Sequence, residues 1–212
     1  MSIATLSTLA DSHHERIDAA LQSAENATYK GSREAFAAYD ELVAELTRHL
    51  FAMEVAVLPV AARSLPGGAG ELRPQLDRLR QLEAIELRIE ERRSTPPKSV
   101  EALRGRLVDL MAAHRREETR ILAELDAVLD GAERDELAER FERASLRSPT
   151  RPHPHAVRRL VMTRWLYRPV GAWDRMLDTM DSRTVPPLRK APRRAADSNW
   201  DSYILGRPRW GR

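Results

Sequence analysis

The stretch VEALRGRLVDLMAAHRREETRILAELDAVL, Val100 to Leu129, decides how this chain folds. At about 100° per residue, Leu103, Leu107, Leu110, Ile121, Leu125 and Val128 fall within about 40° of His114, and so does Glu118. A long amphipathic helix is predicted, with an imidazole and a carboxylate one turn apart inside its apolar stripe. Burying two such groups is costly unless they pair or hold a metal. The spacing His-x3-Glu permits either outcome, because residues i and i+4 project side by side.

Working outward, the pattern recurs three times. A first helix is predicted from about Ser2 to Thr28, with Ile3, Leu6, Ala10, Ile17, Leu21 and Ala24 on one face, His13 and His14 flanking it, and Lys30-Gly31 ending it. A second, about Ser32 to Ala62, puts Tyr39, Leu42, Leu46, Met53, Val57 and Val60 inward, with His49 at the edge of the stripe. Leu65-Pro66-Gly67-Gly68-Ala69-Gly70 reads as a loop. A third helix, about Glu71 to Arg93, has Pro74 in its first turn and the stripe Leu72, Leu76, Leu79, Leu82, Glu86 and Ile89. Gly131 ends the fourth helix, and a shorter charged one runs from Ala132 to Leu146. No segment alternates with a strand period. The fold class is therefore all-α, an up-down-up-down four-helix bundle with a short fifth helix.

Charge divides the chain near Arg147. Residues 147–212 carry 15 Lys and Arg against 5 Asp and Glu, a net of +10, whereas residues 1–146 carry 20 against 27, a net of −7. Eight of the 13 prolines also lie beyond Arg147. An acidic helical body at 1–146 and a basic, partly ordered extension at 147–212 are expected. The chain has no cysteine, so only nitrogen and oxygen ligands remain for a metal. The first ten residues lack a basic start and a long apolar run, and no window is long and apolar enough to span a bilayer, so a cytoplasmic protein is expected.

Each of the four helices turns a metal-competent side chain inward: His13 or His14, His49 with Glu54, Glu86, and His114 with Glu118. Any one of these alone reads better as a satisfied core residue than as a ligand. Four in four helices shift the balance toward a shared site. Other chemistry lacks support: the Gly-rich loop has no preceding strand or following lysine, and no serine sits in an elbow motif.

The segments His14-Glu15-Arg16-Ile17-Asp18 with Leu21, His49-Leu50-Phe51-Ala52-Met53-Glu54 reaching Leu58-Pro59, and His114-Arg115-Arg116-Glu117-Glu118 resemble, in this order, motifs of the hemerythrin-like (HHE) cation-binding family. The resemblance covers roughly residues 5 to 130 and favours His14 over His13. It implies a four-helix bundle around a non-haem, di-iron centre, with His14, His49, Glu54, Glu86, His114 and Glu118 as ligands and Glu54 or Glu118 bridging. Two positions depart from the pattern: Met53 stands where the second helix has a glutamate, and Leu82 where the third has a histidine. Iron, or manganese, suits the remaining imidazoles and carboxylates. The expected function is binding or sensing of O2, NO or peroxide rather than turnover.

A different class of reading stays open, in which the bundle has lost its metal, pairs the polar groups in its core, and serves as a scaffold or interaction module. In the extension, Thr150-Arg151-Pro152-His153-Pro154-His155 reads as an extended linker. Val157 to Met180 alternates Leu160, Trp165, Trp173 and Leu177 with arginines, which suits folding back onto the body or contact with an anionic membrane. Trp200, Tyr203, Ile204, Leu205 and Trp210 look like docking residues. No nucleic-acid-binding signature accompanies the positive charge.

Overall fold

The computed structural model describes residues 5–27, 32–92, 98–152, 173–174, 176–180, 183 and 185. Among them there is no strand. The helices are α1 (Leu6–Ala27), α2 (Ser32–Ala52), α3 (Leu58–Ser64), α4 (Gly68–Glu71), α5 (Arg73–Arg92), α6 (Lys98–Val128) and α7 (Gly131–Leu146). A single π turn, Met53–Val57, joins α2 to α3.

The predicted second helix is thus helical from Ser32 to Ser64 but not uniformly α. Pro59, in the first turn of α3, has no N–H to give and crowds the carbonyl one turn back. Widening the preceding turn to π relieves that crowding. Past α3 the chain reverses through Gly67, at φ 80°, and Gly68, at φ 55°, left-handed values that a side chain resists. Part of the expected loop then winds into the one-turn α4. A capping box starts α7: Asp130 accepts from the Glu133 N–H at 2.8 Å, and the Glu133 carboxylate accepts from the Asp130 N–H at 3.0 Å.

Leu42, Leu46, Leu50, Met53, Leu58, Leu79, Leu82, Ile89, Leu107, Ile121 and Phe141 are buried in one apolar core. Helix α1 packs along α2, α5 along α6, and α2 also meets α5; α7 lies against α1, α2 and the π turn. The stripe of α6 is buried at Leu107, Ile121 and Leu125 but open at Val128, which is 50% exposed. The wheel places Val128 inward; the helix ends there, at its last residue, and no described residue covers it.

The described part of the extension bonds within itself and, through Arg183, to the body. Asp174 accepts from the Thr150 and Arg151 N–H groups at 3.2 and 3.3 Å, and Asp178 accepts from Arg151 Nε at 3.1 Å. Arg183 reaches Asp178 and Asp40 of α2, each at 3.1 Å. The expected linker histidines at 153 and 155, most of the arginine-rich segment and the aromatic residues past 200 lie outside the described residues. No helix among the described residues is long and apolar enough to cross a membrane.

Candidate metal centre

Three helices bring four side chains to one buried point. His14 comes from the middle of α1, His49 from the last turn of α2, and His114 and Glu118 from successive turns of α6. One ligand atom from each lies within 4.8 Å of all the others. His49 Nε2 is 3.3 Å from His14 Nε2 and 2.9 Å from His114 Nε2. Glu118 Oε2 is 2.9 Å from His14 Nε2, 3.3 Å from His49 Nε2 and 3.2 Å from His114 Nε2. His49, His114 and Glu118 are fully buried; the His14 side chain keeps 12% exposure and marks the side facing solvent.

The spacing suits a small ion. Metal–ligand bonds of about 2.0–2.1 Å in a tetrahedral shell separate the ligand atoms by about 3.3 Å. Hydrogen bonding accounts for the Glu118 contacts less well. Although Oε2 lies close to three ring nitrogens, neither oxygen of Glu118 makes a hydrogen bond of acceptable angle, and His49 Nδ1 has no partner among the described residues. Around Glu118, short distances without alignment are what atoms facing a common centre show, whereas the His14–His49 and His49–His114 pairs meet as hydrogen bonds.

Charge in the site follows from burial. Desolvation lowers the His49 pKa to about 4 against the opposing pull of Glu118, so this ring is neutral near pH 7. His13, one residue before His14, is lowered to about 2, again mainly by burial. Burial alone would raise Glu118, but the surrounding His49, His114 and His14 outweigh it and hold the carboxyl well below its ordinary value. A neutral His49 beside an ionised Glu118 suits metal ligation.

Neighbouring contacts hold the donors in place. Arg115 grips both oxygens of Asp18 on α1, the Nη1–Oδ2 arm at 2.9 Å, and donates to the His14 carbonyl at 3.4 Å. This fixes the register of α1 against α6. Near His49, Glu45 is held by Arg16 at 3.1 Å and Arg48 at 2.5 Å. Phe141 of α7 lies against His13 and His49, ring centres 5.0 and 6.2 Å away.

Not every expected ligand reaches this point. His13 is buried and packs tilted beside His49 at 5.7 Å between ring centres, but His14 supplies the donor from α1. Glu54 and Glu86 are buried yet stand outside the group of four. Met53, four residues after His49, takes the position one turn on and is fully buried; Glu54 lies beyond it in the π turn. On α5 the residue that touches the centre is Gln75, whose Nε2 is 2.7 Å from His114 Nδ1. Glu86 is eleven residues further along, about 16 Å at the rise of an α-helix, too far to share a ligand shell with His114. Gln75 sits three after Leu72 and four before Leu79, in the same stripe as Glu86, but an amide there carries no metal-ligand signal in the sequence. No protein-family model, no curated protein and no solved structure matches the chain.

Proposed function

We propose that the chain is a metal-binding protein in which His14, His49, His114 and Glu118 hold a single divalent ion inside a hemerythrin-like up-down bundle. The observation that carries this reading is the convergence of three imidazole nitrogens and one carboxylate oxygen, from three helices, on one buried point. The donor set is nitrogen-rich with one hard oxygen, which suits iron or manganese, and zinc as a structural equivalent. Bound iron would supply redox-active positions for a small ligand such as O2, NO or peroxide. The protein's own part is to keep His49 neutral, keep Glu118 ionised and exclude bulk water. Among the four donors His14 keeps the most exposure, and a centre so buried favours a small ligand. Binding or sensing of such a ligand, rather than turnover, is the role taken over from the resemblance.

The test is to reconstitute the chain with Fe(II) in the absence of air and to record absorption from the near ultraviolet through the visible before and after admitting nitric oxide or oxygen. New bands are expected. Tightly held iron with an unchanged spectrum would refute the gas reading and leave the metal reading standing.

One observation favours the alternative of a metal-free scaffold. Met53 and Leu82, at positions where the resemblance calls for ligands, are fully buried apolar residues. His114→Leu separates the two readings. A scaffold core tolerates or gains from the exchange, whereas a metal site loses its metal-dependent rise in melting temperature.

A further inference from the structure

Gln75 is fully buried and makes two hydrogen bonds that determine each other. Its Oε1 accepts from Arg78 Nη1 at 2.8 Å, and its Nε2 faces His114 Nδ1 at 2.7 Å. A guanidinium carries donors only, so Arg78 fixes the amide oxygen toward itself and leaves the NH2 group toward the ring. An NH2 group is a donor, so His114 Nδ1 must accept. When the ring carries a single hydrogen, it then sits on Nε2, the atom 2.9 Å from His49 Nε2 and 3.2 Å from Glu118 Oε2. In that tautomer Nε2 has no lone pair to offer a cation. Histidines that ligate through one nitrogen have the opposite arrangement, with the other nitrogen donating its hydrogen to an acceptor behind it.

We propose that Gln75 and Arg78 form a latch on the metal centre: held by Arg78, the amide keeps His114 in its non-ligating tautomer, and turning the amide over admits the metal. With Oε1 toward the ring, Nδ1–H is the donor and Nε2 is free to ligate. The change moves one hydrogen from Nε2 to Nδ1 and leaves the charge of the ring unchanged. The lever lies within reach of solvent, because Arg78 is only half-buried, unlike Gln75. This inference rests on the metal reading and adds a control to it.

The experiment uses the full chain, metal-free and labelled with 15N-histidine, together with Arg78→Met, Gln75→Glu and Gln75→Leu. Long-range proton–nitrogen spectra report which ring nitrogen of His114 carries the hydrogen, and competition with a chromophoric chelator reports Zn2+ affinity. The wild-type chain is expected in the Nε2–H form. Arg78→Met and Gln75→Glu should move toward Nδ1–H and bind Zn2+ about tenfold or more tightly than wild type, the range that partners behind a ligand command. Gln75→Leu, which removes the amide from both roles, should fall between. An Nδ1–H form in the metal-free wild type overturns the latch, as does equal Zn2+ affinity across the set. Failure of every variant to bind Zn2+ overturns the metal reading itself, and the latch with it.

Discussion

Lowering the pH of the metal-free chain from 7 to 5 should destabilise it sharply, because two neutral histidines must be kept uncharged in the core. His49 is lowered to about 4 and His13 to about 2, against an ordinary value of 6.5 in the unfolded chain. A group whose folded pKa is depressed and whose charged form is the acid gives no pH dependence above 6.5, where both states are neutral. Below 6.5 the unfolded state takes up a proton that the folded state refuses, so stability falls with pH. The His49 contribution levels off near pH 4, while that of His13 continues toward pH 2. Between pH 7 and 5 each ring removes about 2 kcal/mol, so the pair removes about 4 kcal/mol. That is a large part of the stability of an ordinary domain. Glu118 adds its own loss only below its unfolded value of 4.5, as its depressed carboxyl is protonated. Urea unfolding of the metal-free protein, followed by circular dichroism at half-unit intervals of pH, measures the effect. A midpoint unchanged between pH 7 and 5 would show that these rings either titrate normally or are not buried, and the charge account of the centre would fail.

The remaining expectations are more local. Zn2+ at about a hundred times its dissociation constant should add about 2.7 kcal/mol to the wild-type chain, a rise of about 5–10 °C in Tm, and nothing to His114→Leu; calorimetry with and without metal reads the difference. Arg183→Ala leaves Asp40 and Asp178 buried without the guanidinium between them. A loss of about 3 kcal/mol is expected in urea unfolding, and a loss below about 0.5 kcal/mol would mean that the docked segment contributes nothing to the body. Phe141→Ala opens a cavity beside His13 and His49 and should cost about 3–5 kcal/mol in the same assay.

The helices and their inward faces were legible from side-chain periodicity, since the stripes of α2, α5 and α6 are set by leucines whose burial alone is enough to orient a helix. The same logic found His49, His114 and Glu118, polar groups on apolar faces. It could not give the level at which each helix meets its neighbours. Glu86 and Gln75 share one stripe of α5 and differ by three turns in height, and only the packing of α5 on α6 selects Gln75. The π turn was likewise hidden, although Pro59 carried a signal for it. His13 against His14 could not be separated by periodicity, because both flank the stripe of α1; the clamp of Arg115 on Asp18 and the His14 carbonyl brings the second toward α6.

Metal stoichiometry tests the centre most directly. The full chain, purified from cells grown in iron- and manganese-supplemented medium and passed through a desalting column, should carry about one transition-metal ion per chain by elemental analysis, and Glu118→Leu and His114→Leu should carry less than about a tenth. A wild-type chain that also holds less than a tenth of an ion, and takes up none of Fe(II), Mn2+ or Zn2+ on reconstitution, would contradict the account.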